Sequence, residues 1–366
     1  MEILVLTQHI LPLQTPRSFR STELIKELAN QGHHVTCYAV LGKYDYSQFL
    51  SRYPNIQLKN IPLKYSIKPF TSDGIPNRPL IDKVLGKLLG TYLFFPYIEF
   101  IKRIPEIIKN ENQFDLIISI ADPHPIHWGT AKAKQKFPDK FPKTWIADCG
   151  DPFMDNGRAN YPTYFAKFER KFCALADKIT VPVKEAIQGY YPEFRDKIYV
   201  IPQGFQFDLN QQNTFVSNAI PQFAFTGMFY KDIRNPQNLL QYLTSLSQNF
   251  VFHVYTPYTD LIKEFETQLG DKLKIHPTIP REKLLIELQK MDFVINLENS
   301  NSPNQIPSKL IDYAIVQKPI LSLNPENIDS SKIQEFLQGN YQNQFHVNNL
   351  EQYHISNVVQ KFIELV

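Results

Sequence analysis

The sequence predicts an α/β chain with two doubly wound parallel sheets facing each other across a cleft. Three observations carry this. Short apolar runs alternate with helical patterns along nearly the whole chain, the alternation that builds parallel sheets covered by helices on both faces. That alternation breaks once, in a polar stretch without periodicity from Gln203 to Ala219, and then restarts. The length, 366 residues, suits two domains rather than one.

In the first half, Ile3–Leu6 reads as a strand and Ser21–Gln31 as a helix with Leu24, Ile25 and Leu28 on one face. Gly32 stops that helix. Val35–Val40 is the next strand, and Phe114–Ile120 is a continuous apolar run, the mark of a strand buried on both faces. Thr144–Ala147 and Lys178–Val181 repeat that pattern, and Phe165, Phe168, Phe172 and Leu175 line one side of the helix between them. Ile198–Pro202 closes the half. In the second half, strands are expected at Phe223–Thr226, Phe250–Tyr255, Leu273–His276, Phe293–Leu297 and Ile320–Leu323. Helices are expected at Pro236–Ser247, Thr259–Leu269, Arg281–Met291 and Ser308–Val316, with Asn235 capping the first of them. The domains so defined are residues 1–203 and 204–350, and a last helix in 351–366 is open to packing on either domain, the return to the first being one option.

Composition excludes several functions. The net charge of +3 is too mild for nucleic-acid binding. It is uneven, however: Arg52 to Asn110 holds ten Lys or Arg against four Asp or Glu and is rich in apolar side chains. Basic charge beside apolar groups points to an anionic membrane surface, while a plain core role explains the apolar residues equally well. Cys37, Cys149 and Cys173 are odd in number and far apart, which fits neither a disulfide framework nor a zinc site and suits a reducing cytosol. The chain opens directly on a strand-like run, so no leader is expected, and no apolar stretch reaches the ~18 residues of a membrane span. The expectation is a cytoplasmic protein, peripheral at the inner face of the membrane.

In doubly wound sheets, ligands bind beyond the carboxyl ends of the strands, which directs attention to the loops after Leu6, Ile120, Ala147, Thr226, Tyr255 and Leu297. No G-x-G-x-x-G follows the first strand, no P-loop and no G-x-S-x-G is present, and no Asp-x-Asp offers a metal bridge to a diphosphate. No cofactor and no metal are expected, so the protein itself must supply positive charge and backbone donors.

The segment Asn304 to Asp312 suits that task. A helix beginning at Pro307 or Ser308 turns its free amides and its dipole toward an anion. Ser308 adds a hydroxyl, Lys309 a charge, and Asp312, one turn on, a carboxylate able to accept from two ribose hydroxyls. Gly227 to Pro236 follows a strand and carries Lys231 and Arg234 for a diphosphate. In the first half, Arg17 and Arg20 lie between strand and helix, and His127, Asp148 and Asp151 sit at strand ends that suit an acceptor site. Each of these has an ordinary alternative as a cap, turn or solvated charge.

Five ordered segments resemble the retaining GT-B glycosyltransferases of the family 4 type. Trp145 to Phe153 resembles W-I-A-D-F-x-D-P-W, and Ala121 to His127 is similar to S-G-P-P-H-S-x-H. Phe168 to Asp177, Ile201 to Phe205 and Pro307 to Leu321 are similar to the family's A-D helix, I-P-N-G hinge and P-x-K-L-x-E-Y segment. Two departures stand out. Asn304 and Asp312 occupy the positions of the family's two glutamates, and Thr15-Pro16 stands where it has paired glycines. The resemblance implies two Rossmann-like domains and transfer of a hexose-type sugar, with retention and without metal, from a UDP- or GDP-linked donor. The implied acceptor is a glycan or a lipid-linked molecule of cell-surface polysaccharide synthesis. Lys231, Arg234, Lys309 and the helix amides would stabilise the leaving diphosphate, with Gly227, Asn304, Pro307, Ser308 and Asp312 completing the donor site. A non-catalytic sugar-nucleotide-binding subunit or a nucleotide-sugar epimerase is the alternative.

Overall fold

The computed structural model describes residues 1–13, 15–64, 88–155, 161–208, 217–298 and 308–366. The chain divides into two compact units. The first comprises Met1–Gln206 with Gln352–Val366, and the second Phe207–Glu351.

The first unit is built on seven strands: β1 Glu2–Leu6, β2 His34–Ala39, β3 Ile56–Asn60, β4 Leu116–Ile120, β5 Thr144–Asp148, β6 Lys178–Val181 and β7 Ile198–Val200. Their order is β3-β2-β1-β4-β5-β6-β7, with every pairing parallel. Successive side chains of a strand point to opposite faces, and the core splits accordingly. Leu4, Leu6 and Ile117 join one apolar cluster, while Ile3, Val5, Leu116 and Ile118 join the other. Both faces are covered, which explains the uninterrupted apolar runs. Each fully buried aliphatic or Phe side chain contributes about 1.5–3 kcal/mol.

The first helix spans Pro16–Asn30. It starts five residues earlier than its apolar face predicts, because Thr15 caps it, its Oγ1 accepting from the Ser18 amide at 3.2 Å, and Pro16 fits the first helical position. Arg17 and Arg20, expected in the loop, therefore lie within the helix. The C-terminal helix Ile355–Ile363 packs against it through Ile355, Val358, Val359 and Phe362, all buried in the cluster that holds Leu24 and Ile25.

The second unit has five strands, β8 Gln222–Thr226, β9 Val251–Tyr255, β10 Leu273–His276, β11 Phe293–Leu297 and β12 Ile320–Leu323. They run parallel in the order β10-β9-β8-β11-β12. One face is aromatic: Phe223 stacks on Phe293 at 4.6 Å and on Phe252 at 4.9 Å between ring centroids. The other face holds the helices Arg281–Gln289 and Ser308–Ile315, joined by Leu288, Leu310 and Tyr313 in one cluster. Among the described residues no helix is long and apolar enough to cross a membrane.

Candidate functional site

In the second unit the carboxyl end of β8 meets the start of the helix Ser308–Ile315. Tyr313 pins them together: its hydroxyl accepts from the Thr226 amide at 2.9 Å and from Thr226 Oγ1 at 3.2 Å. Gly227 then turns the chain at φ 109°, a conformation side chains rarely adopt. A Cβ there meets nothing within 4 Å, so its backbone angle, not space, calls for glycine.

Two cations converge on this corner. Lys309 is 8% exposed, with Nζ 4.3 Å from the centroid of the Phe225 ring and no hydrogen-bond acceptor among the described residues. Arg234, from the loop after β8, lies over Tyr230 at 5.3 Å, its Nε likewise buried without an acceptor. Burial holds the Lys309 ammonium well below the ordinary lysine value, and Arg234 pushes the same way. Burial also lowers Arg234, against Tyr230 and Tyr313. A buried charge without a partner is costly, and here a buried lysine and a half-buried arginine repel each other. Lys231 of the same loop is exposed.

Asp312, one turn into the helix, is largely buried and paired with Arg281 at 2.7 Å. Burial raises its pKa and Arg281 opposes the rise. Glu298, just after β11, accepts from Ser322 Oγ at 2.9 Å. Asn304 and Pro307 lie outside the described residues, and Ser308 is described only as the start of its helix.

In the first unit the sheet order reverses between β1 and β4, the switch point at which doubly wound folds open a crevice. Arg17 follows β1, His124 follows β4 and Asp151 follows β5. The Arg17 guanidinium lies against Gly150, where an added Cβ would stand 1.7 Å from Nη2. Its side chain is 24% exposed and its nearest carboxylate, Asp148, is 3.9 Å away. His124 is 6% exposed, wedged against Phe153, and its Nε2 has no hydrogen-bond partner among the described residues. Burial first, then Arg17, pushes its pKa down to about 3, against a hydrogen bond to the Asp151 backbone. The ring is neutral, with one open nitrogen.

His127, Asp148 and Arg20 are placed differently. His127 is fully enclosed, with Nδ1 2.8 Å from Ser119 Oγ and Nε2 3.3 Å from Cys149 Sγ. Trp145 Nε1 donates to the same Ser119 oxygen at 2.8 Å. Asp148 is equally enclosed. Arg20 grips both its oxygens at 2.6 Å, and Thr180 Oγ1 donates to one of them at 2.7 Å. Arg20 also donates to the carbonyls of Pro202 and Ile201, at 2.8 and 3.1 Å. This network ties the first helix, β5, β6 and the segment after β7 into one block. Among the described residues no group of three His, Cys, Asp or Glu side chains is placed to hold a metal ion.

Two residues of these sites escape a reading of the sequence. His124 sits in the quoted stretch Ala121 to His127, which offers two histidines and no sign of which stays open. Arg281 pairs with Asp312 across 31 positions, a contact no local pattern announces.

No protein-family model matches the chain, and no curated protein sequence does. Solved structures do match. The lipopolysaccharide outer core galactosyltransferase WaaB superposes with a TM-score of 0.62 at 11% identity, over 100% of this chain and 99% of the other. Sucrose-phosphate synthase from Thermosynechococcus elongatus gives 0.64 at 13% identity, over 100% and 98%. HepE from Anabaena, in complex with UDP and glucose, gives 0.58 at 12% identity, again over 100% and 98%. The fold is GT-B. In this GT-B chain the converging cations lie in the C-terminal unit and the open histidine in the N-terminal one.

Proposed function

We propose that this chain is a glycosyltransferase. Its C-terminal unit holds a nucleoside diphosphate sugar, and its N-terminal unit presents the hydroxyl that receives the sugar. The observation that carries the reading is the pair Lys309 and Arg234: a buried lysine at the start of a helix and a half-buried arginine whose Nε is enclosed, neither with an anionic partner among the described residues. A diphosphate supplies the missing charge, and the helix amides add donors. As the bond from the anomeric carbon to the diphosphate breaks, negative charge grows on the leaving oxygen. Fixed cations in a dry site stabilise that charge more than they stabilise the ground state. They do the work that a divalent metal does in other transferases, so transfer is proposed to be metal-independent. Retention at the anomeric carbon and a hexose-type sugar follow from the resemblance to family 4. UDP is favoured as the nucleotide because HepE, of the same fold, binds UDP and UDP-glucose.

On the acceptor side, His124 and Arg17, with Asp151, are proposed to meet substrate, His124 Nε2 accepting a hydrogen bond from the incoming hydroxyl. His127, Asp148 and Arg20 are proposed to hold that site in place. The acceptor is proposed to be a glycan or a lipid-linked molecule, and the protein to work at the cytoplasmic face of a membrane. A non-catalytic sugar-nucleotide-binding subunit is the second reading, favoured by Asn304 where the family has glutamate; it binds donor without turnover.

Calorimetric titration with UDP, GDP, ADP and the matching nucleosides tests the donor site. One diphosphate is expected to bind far more tightly than its nucleoside, and Arg234→Ala to weaken the diphosphate by roughly tenfold or more while leaving the nucleoside unchanged. If no diphosphate binds at millimolar concentration, the reading fails.

A further inference from the structure

Asp312 is held by a residue that neither the motifs nor the fold assigns. Arg281 opens the helix Arg281–Gln289, and its Nε donates to Asp312 Oδ1 at 2.8 Å. Its Nη2 lies 2.7 Å from the same oxygen. Both contacts fall on Oδ1, and Oδ2 has no partner among the described residues. The side chains are 22% and 16% exposed, so the pair is largely screened from water yet open on one side.

We propose that Arg281 is a positioning and specificity-determining residue of the nucleotide site. It fixes the Asp312 carboxylate so that Oδ2 alone is presented to the ribose hydroxyls of the donor. The proposal rests on the reading of this unit as the donor site. Three physical points support it. A carboxylate accepts hydrogen bonds and donates none, which matches a ribose diol that has two O–H groups to donate. An aspartate is one methylene shorter than a glutamate and reaches less far, so its orientation matters more. The planar guanidinium, hydrogen-bonded through Nε with Nη2 in ion-pair contact with the same oxygen, sets that orientation in a way a lysine ammonium does not. The two residues also come from separate helices that share Leu288, Leu310 and Tyr313. The apolar contacts set the helix spacing, and the ion pair sets the carboxylate.

A simple staple between helices makes a different prediction, and deoxynucleotides separate the two. UDP, GDP and ADP are titrated beside their 2′-deoxy and 3′-deoxy forms into wild type, Asp312→Asn, Arg281→Gln and the double variant. Wild type is expected to favour at least one ribonucleotide over its deoxy form by roughly tenfold or more. Arg281→Gln alone is expected to lose most of that preference, and the double variant to lose no more. Affinity for the deoxy form is expected to stay within about twofold throughout. If Arg281→Gln fails to fold, Arg281→Lys keeps the charge without the fork and is expected to lose part of the preference. Retained preference, or equal weakening of ribo and deoxy forms, overturns the proposal while leaving the donor site standing. Absence of any nucleotide binding to wild type overturns both.

Discussion

Lys309 and Asp148 are both buried and charged, and their surroundings give them opposite tasks. Asp148 has a full set of donors: Arg20 on both oxygens and Thr180 on one. A site so satisfied has no capacity left for a substrate and serves stability. Asp148→Ala would leave Arg20, 4% exposed, without its counter-ion, and is expected to lower the unfolding free energy by about 3–5 kcal/mol. Denaturant titration measures it, and a loss within 0.5 kcal/mol, which is about the size of a surface change, contradicts the structural role. Among the described residues, Lys309 has only an aromatic face and a neighbouring cation. Such an arrangement is unfavourable in the empty protein and makes sense only if something negative arrives. The sequence shows a lysine after a helix start; it does not show that the lysine is buried, because its ammonium lies over the Phe225 ring, 84 positions before it.

The central strands β1, β4, β5, β8 and β11 are largely apolar runs because both sheet faces are covered, and they, like the edge strand β12, stand within two residues of their expected bounds. Asn235 was expected to cap its helix with Pro236 inside it; the helix spans Gln237–Thr244 with Pro236 at the cap position, and Asn235, one residue further out, accepts from the Gln237 amide through Oδ1 at 3.1 Å. Among the described strands and α-helices, four were not anticipated: β3 and the helices Ser47–Arg52, Phe100–Asn110 and Ser330–Leu337. β3 reads Ile-Gln-Leu-Lys-Asn, an edge strand whose polar residues blur the apolar run. Phe100–Asn110 carries Pro105 and three basic residues, yet buries Phe100, Ile104, Ile107 and Ile108 on one face. The span Thr259–Leu269 was expected to be helical throughout, and only its last turn, Glu266–Leu269, is α-helical before Gly270 turns at φ 53°. The active elements obey the same division. That loops after β4, β5, β8 and β11 matter follows from strand order; which side chains in them are open follows from packing between distant segments.

For the whole molecule, the sequence alone gives two α/β halves, and the structure gives two units with sheets of seven and five parallel strands. The first unit also carries an apolar surface. Leu88, Tyr92, Leu93 and Tyr164 are 49, 54, 50 and 43% exposed, and Tyr164 donates to the Tyr92 carbonyl. Three of these four lie in the basic stretch from Arg52 to Asn110. Apolar side chains beside excess positive charge favour an anionic lipid surface. Sedimentation with phosphatidylserine vesicles at low salt is expected to capture the protein. Tyr92→Ser with Leu93→Ser is expected to release it, while binding falls as salt rises. No capture at low salt, or capture equal on neutral vesicles, contradicts the membrane reading.

The central claim is that the converging cations of the C-terminal unit, Lys309 and Arg234, exist for a nucleoside diphosphate. Lys309→Met tests it most directly, because it keeps the length and removes the charge. Chemical unfolding is measured for wild type and variant, with and without the diphosphate that binds wild type. Without ligand, the variant is expected to be more stable than wild type by about 1–4 kcal/mol, since an unpaired buried cation has been replaced by an apolar chain. With ligand at ~100 times its dissociation constant, wild type is expected to gain about 2.7 kcal/mol, and the variant almost none. A variant less stable than wild type, or one that the diphosphate still stabilises in full, would show that Lys309 serves the fold and that the anion site lies elsewhere.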